Sequence, residues 1–182
     1  MQRWIKKAVF ELSLFCTEAI RIPWWVKISD AGLYLGGIPL RNKGHLVQLK
    51  SLGINRVLNL LEPFEREPGL RHQPVTKEEW EKSGAVIFEV PSKDFRSISA
   101  KKLTQAAAIV AQELKQGHKM YVHCKAGMGR SASVVIAYLI LHEGLSADEA
   151  IMAVKKRRRI KISSKQVGIL QKLEPARKKI NC

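Results

Sequence analysis

Cysteine is scarce in this chain. There are three in 182 residues, Cys16, Cys124 and Cys182, too few and too widely spaced for a zinc cluster or a disulfide framework. Stability must therefore come from an apolar core, which a chain of this length can bury as one domain. Unpaired thiols fit a reducing compartment such as the cytoplasm. Acidic side chains are also few, 16 against 32 basic ones, for a net charge of +16. That imbalance leaves the fold open but calls for an anionic partner: nucleic acid, an acidic membrane surface or a phosphorylated molecule. No apolar run approaches the roughly 18 residues of a membrane-spanning helix, and no segment repeats.

The densest chemical signal is Tyr-Val-His-Cys-Lys-Ala-Gly-Met-Gly-Arg-Ser-Ala-Ser, residues 121–133. A short apolar strand ends at His123, a helix begins near Arg130, and Gly127 and Gly129 between them let the backbone curl with its N–H groups inward. Such a curl at a helix N-terminus binds anions. Lys125, Ala126, Gly127, Met128 and Gly129 are the predicted phosphate cradle. Cys124, at its start, should lose its proton readily to become a nucleophile. Arg130 offers a planar fork matched to two phosphate oxygens. Ser131 would place a hydroxyl against the thiol. His123, at the end of a buried strand, reads as a support for Cys124 that hydrogen-bonds loop backbone.

Breaking a phosphomonoester also needs a proton for the leaving oxygen. Asp94, in a loop 30 positions before Cys124, is the candidate, with Glu62, Glu65 and Glu89 as rivals. The Lys155 to Lys161 run reads first as a solvated face.

Strand-like segments alternate with helical ones. The strands are predicted at 32–40, 54–61, 85–90 and before Cys124. Capping boxes at Thr76/Glu79 and Ser146/Glu149 open helices, and the proline- and charge-rich stretch 62–74 reads as an irregular surface loop. This pattern predicts a single α/β domain with a mostly parallel sheet and helices on both faces. Residues 1–23 form a separate amphipathic element before a catalytic domain at 24–182. On a helical wheel Trp4, Ile5, Ala8, Val9, Leu12, Phe15, Cys16, Ala19 and Ile20 share one face, with Phe10 and Leu14 intruding on the polar side. That face either packs on the core or lies in a membrane interface. Trp24 and Trp25, just after it, either sit at a lipid headgroup boundary or cap the core.

The His-Cys-x5-Arg-Ser stretch resembles the signature of the cysteine-dependent protein tyrosine and dual-specificity phosphatases. The resemblance spans roughly 24–175 and is strongest to the mitochondrial-type and bacterial phosphatidylglycerophosphate phosphatases, through 24–41, Glu62 to Glu65, 78–90 and 121–133. One departure is Pro63-Phe64, where that family commonly has Glu-Tyr. The resemblance implies a four- or five-stranded sheet, catalysis by Cys124, Arg130, Asp94 and Ser131 without metal or cofactor, and support from Glu62 and Glu65. It implies an anionic phospholipid substrate or membrane surface as partner, and action in the cytoplasm or mitochondrial matrix by a monomer. A phosphoprotein phosphatase, an RNA 5′-phosphatase and an idle phosphate-binding module remain as alternatives. No stable nucleic-acid partner is expected, because no RNA-recognition motif is present.

Overall fold

The structure, a computed structural model, describes residues 3–19, 22–69 and 72–175. Five strands form one mixed sheet in the order β1-β2-β5-β3-β4: β1 Trp25–Lys27, β2 Leu33–Gly36, β3 Arg56–Asn59, β4 Val86–Glu89 and β5 Met120–His123. β2, β5, β3 and β4 run parallel, and β1 closes one edge antiparallel to β2. The expectation of a mostly parallel sheet holds, with five strands. β1 begins at the second of the two tryptophans. Trp24 donates its indole N–H to the Ile38 carbonyl at 2.8 Å, and both rings pack on His45. Both are half-buried and pack against the core.

Seven helices surround the sheet among the described residues: α1 Arg3–Ala19, α2 His45–Ser51, α3 Lys77–Lys82, α4 Ala100–Lys115, α5 Arg130–Leu141, α6 Ala147–Arg157 and α7 Ser164–Gln171. The period-2 alternation of the strands decides which face each side chain serves. Leu33, Leu35, Leu58, Met120 and Val122 enter the larger core with α4 to α7, while Tyr34, Val57 and Tyr121 enter a smaller one with Leu49 and Trp80 of α2 and α3. Every residue of α5 is buried, as its unbroken apolar run requires. The predicted capping boxes at α3 and α6 are both formed.

Two expectations need correction. The stretch 62–74 is not simply a surface loop. Pro63–Arg66 is a 3₁₀ turn closed by reciprocal Glu62 and Glu65 capping, and Glu65 is fully buried. α1 docks by the side the sequence wheel counted as polar: Phe10 and Leu14 are buried with Ile38, Leu40 and Leu61 in a third cluster. Glu11 adds a 2.8 Å contact to His72 Nδ1. The reason is that two large apolar residues one turn apart suffice to anchor a helix, and Phe64 completes their socket, its ring edge-on to Phe10 at 6.4 Å. Val9, Leu12 and Phe15, on the apolar face of the wheel, are exposed. Ile20 and the side chains of Trp4, Cys16 and Ala19 lie outside the described residues, as does Cys182.

Candidate active site

β5 delivers His123 and Cys124 to the C-terminal end of the sheet, and the chain then curls through 125–129 into the first turn of α5. The curl is held from outside. The Lys125 carbonyl accepts from Ile38 N–H at 3.0 Å, Ala126 and Gly127 carbonyls accept from Arg158 at 2.8 and 2.9 Å, and the Met128 carbonyl accepts from Lys161 N–H at 2.8 Å. In a trans peptide the N–H points opposite to the C=O. Four carbonyls fixed outward therefore turn the amides of Ala126, Gly127, Met128 and Gly129 inward, into one anion cradle. Gly127 has φ +70, and a Cβ there would lie 2.4 Å from the Gly36 backbone, so no other residue fits.

Arg158 was not anticipated. Its neighbours Lys155, Lys156, Arg157, Arg159 and Lys161 are exposed, as the solvated-face reading expects, but Arg158 itself is buried behind the loop. It also donates to the Pro23 carbonyl, tying the segment after α1 to the cradle. Nothing in a run of five consecutive basic residues marks the one that turns inward.

Arg130 is buried, and Glu65 grips it end-on, Oε2 to Nη1 at 2.6 Å and Oε1 to Nη2 at 2.8 Å. The Ser92 carbonyl accepts from Nη1 at 3.0 Å. Its Nε has no hydrogen-bond partner among the described residues. A buried, unsatisfied cationic donor is costly, and a phosphate oxygen seated beside it would supply the missing acceptor. Glu65 thus holds the guanidinium by its far end and keeps its Nε edge available. Committed to Arg130 in this way, Glu65 is badly placed to act as the acid. Glu89 is committed as well, in an ion pair with Arg66.

Cys124 Sγ lies 3.2 Å from Ser131 Oγ. Burial opposes ionisation of the thiol, but the Arg130 charge, the Ser131 hydroxyl and the amides of Ser131 and Gly127 outweigh it, and the thiol pKa falls below its ordinary value. His123 stacks on Tyr121, and burial, with the charges of Arg130 and Arg66, lowers its pKa to about 3. It is neutral at physiological pH and unsuited to act as a base.

Asp94 reaches the same place. Its carboxylate is 3.3 Å from Arg130 Nη2 and paired with Lys125 Nζ, and its backbone N–H points to Glu62 Oε2 at 3.3 Å. Lys125 is itself buried, its ammonium 4.8 Å from the Phe95 ring centre and 5.7 Å from that of Phe10. Its side chain therefore serves the acid loop and α1, not only the cradle to which the sequence assigned it. Cys124, Lys125, Ala126, Met128, Gly129, Arg130 and Asp94 all line one cleft of about 740 Å³, whose lining also includes Val9, Leu12, Phe95 and Ile162.

A match to the dual specificity phosphatase catalytic-domain family spans residues 33–176. The chain belongs to that family. Among curated proteins, it is 31% identical over 149 residues to mouse phosphatidylglycerophosphatase and protein-tyrosine phosphatase 1, covering 81% of this chain and 75% of the relative. It is 32% identical over 137 residues to Arabidopsis thaliana phosphatidylglycerophosphate phosphatase PTPMT2, covering 74% of this chain but only 55% of the relative's length. Cattle dual specificity protein phosphatase 26 is 37% identical over 131 residues, 71% of this chain and 57% of that protein. The crystal structure of PTPMT1 in complex with PI(5)P superposes with a TM-score of 0.76 at 28% identity, covering 88% of this chain and all of that one. The chain is thus a phosphatase of the dual-specificity and tyrosine phosphatase superfamily, close to the phosphatidylglycerophosphate phosphatases.

Proposed function

We propose that the protein hydrolyses an anionic glycerolipid monophosphate of the phosphatidylglycerophosphate kind through a phosphocysteine at Cys124. The thiolate attacks phosphorus, the bond to the leaving oxygen breaks, and Asp94 gives that oxygen its proton. Water then attacks the phosphocysteine and passes a proton back to Asp94. As the S–P bond breaks, the Ser131 hydroxyl stabilises the departing thiolate, and inorganic phosphate leaves. Arg130 and the inward amides carry the charge of the phosphoryl oxygens in both steps.

The observation that carries the lipid reading is the cleft. Besides the loop of Cys124 to Arg130, the cleft is lined by Val9, Leu12, Phe95 and Ile162, apolar surface that a phosphate does not need. A glycerol backbone with the start of its acyl chains suits that lining. The relatives named as phosphatidylglycerophosphatases and the neighbour bound to PI(5)P support the same substrate class. A second reading, a phosphoprotein phosphatase, draws support from the 37% identity to dual specificity protein phosphatase 26.

The deciding experiment compares kcat/KM for a short-chain, soluble phosphatidylglycerophosphate with that for phosphotyrosine and phosphothreonine peptides and a 5′-triphosphate RNA. The lipid is expected to lead by tenfold or more, about 1.4 kcal/mol of transition-state binding. A tenfold preference for a peptide would replace the lipid reading with the protein one.

A further inference from the structure

The mouth of the catalytic cleft is apolar at its edge and basic around it. Val9 and Leu12 of α1 are 48% and 65% exposed, Phe15 one turn along α1 is 49% exposed, and Phe95 of the acid loop is 84% exposed. Large apolar side chains clustered in the open mark a surface that meets something other than water. Val9, Leu12 and Phe95 all line the same cleft as Cys124, so the patch adjoins the site directly.

Phe95 is unfavourable twice over in water. Its φ of 55 lies in the left-handed region, costly for a bulky residue, by about 1 kcal/mol or more. The strain gains no burial for the ring. α1, for its part, is a fixed plate and not a free arm: Phe10 and Leu14 anchor its opposite face beside Ile38, Leu40 and Leu61. Lys125 links the acid loop to α1, with its ammonium near the ring of Phe95 and that of the buried Phe10. Of the cations lining the cleft, Arg130 and Lys125 are buried and paired with Glu65 and Asp94, while Arg96 and Lys161 are exposed at its edge. Lys93 and Lys165 are exposed close by in the chain, and the protein as a whole carries +16.

We propose that this rim is a docking face for an anionic bilayer. Leu12, Phe15 and Phe95 enter the boundary between headgroups and acyl chains, the surrounding cations meet the headgroups, and the cleft opens into the headgroup layer. A lipid phosphate then reaches Cys124 without leaving its leaflet. The broad excess of positive charge favours an extended anionic surface over a single protein partner. The inference builds on the lipid-phosphatase reading for its purpose, but docking itself depends only on the rim.

The test uses full-length Cys124→Ser protein and vesicles of phosphatidylcholine with about one third phosphatidylglycerol, which carry no phosphomonoester. Cosedimentation is measured for this protein and for the same protein carrying Leu12→Gln or Phe15→Gln, which remove apolar surface without changing charge. Both positions are substantially exposed, and a melting curve for each shows that the fold is kept. The parent is expected to bind, and each Gln to weaken binding by about tenfold or more. Equal binding by all three, abolished by salt alone, would mean simple charge attraction and overturn insertion of the rim. A lipid-free dimer that either Gln dissociates would assign the face to a second copy of the chain and overturn it too. Failure of docking is separable from failure of the catalytic reading. The soluble short-chain lipid would still be turned over by wild type if only docking were wrong, and phosphomonoester-free vesicles would still be bound if only the substrate were wrong.

Discussion

The inner and outer surfaces of the phosphate loop each depend on a buried arginine, and the two do opposite work. Arg130 faces the cleft, held by Glu65 with its Nε edge unpaired among the described residues. Arg158 lies behind, donating to the carbonyls of Ala126 and Gly127, and by fixing those carbonyls outward it turns the following amides inward. One guanidinium is the proposed phosphate-binding group and the other a brace. Charge on the inner surface acts on substrate, whereas charge on the outer surface acts on backbone geometry, and the same residue type serves both because its fork can bridge two acceptors.

The comparison is broken most completely from the inside. Cys124→Ser is expected to abolish phosphate release, leaving less than about 1% of wild-type turnover, while the cradle still binds substrate. Single-turnover assays and substrate co-purification check the two halves. Retained turnover would remove Cys124 from the nucleophile role. Next in size is Glu65→Ala, which leaves the Arg130 guanidinium buried without its carboxylate. It should cost about 3 kcal/mol or more of stability and most of the activity, with Glu65→Gln milder in both. Urea unfolding and kcat/KM measured together separate lost fold from lost positioning. Asp94→Ala follows, with a loss on the order of 10²-fold for alkyl phosphates and less for an activated aryl phosphate, whose leaving group needs no proton. An equal loss for both leaving groups would point to a positioning role through Lys125 instead.

The inner surface was legible in the sequence and the outer was not. Cys124, Arg130 and Ser131 stand at fixed spacing in one continuous stretch, so local geometry alone brings them together. The placement of Asp94 at the site is readable too, because loss of an alcohol demands an acid and few carboxylates sit in loops before Cys124. Glu65 was named as support, but its grip on Arg130 joins positions 65 residues apart and leaves no periodic trace. Arg158 was hidden in a basic run, and the burial that distinguishes it is a tertiary fact. α1 shows the same limit from the other side. Its wheel displays the larger apolar face, yet Phe10 and Leu14 decide the docking because Ile38, Leu40, Leu61 and Phe64 offer them a socket. Strand and helix order, by contrast, follow from short-range patterning, which is why the sheet was largely foreseen.

Removing the brace sharpens the comparison. Arg158→Met keeps the length and apolar packing of the side chain but leaves the carbonyls of Ala126 and Gly127 without donors. Loop amides are then free to rotate, and kcat should fall about tenfold, with weaker inhibition by inorganic phosphate and a thiol that ionises less readily. Arg158→Lys should rescue little, since an ammonium cannot bridge two carbonyls in one plane. If Arg158→Met lowers only the melting temperature and leaves phosphate inhibition unchanged, the residue is packing and no brace.

The smallest effect expected is on the thiol itself. Arg130, the Ser131 hydroxyl and the loop amides lower the Cys124 pKa against the opposing effect of burial, so at neutral pH the folded protein holds more thiolate than an unfolded chain does. Ser131→Ala deletes one of the lowering contacts, the 3.2 Å hydroxyl, and leaves Arg130 in place. The rate of alkylation by iodoacetamide, followed against pH, should keep its rising sigmoid but move its midpoint upward, toward the ordinary thiol value, by less than the loss of Arg130 would move it. The sign for stability runs the same way. A group whose folded pKa is lowered contributes stability that is complete above the unfolded thiol pKa and is lost as pH falls through the folded one, so Ser131→Ala should shrink that contribution and flatten the dependence. Turnover separates the two roles of the hydroxyl. If it only helps the thiol ionise, raising the pH restores the rate of Ser131→Ala. If it also stabilises the departing thiolate in the second step, the phosphocysteine accumulates at every pH, and a burst of alcohol release precedes a slow steady state.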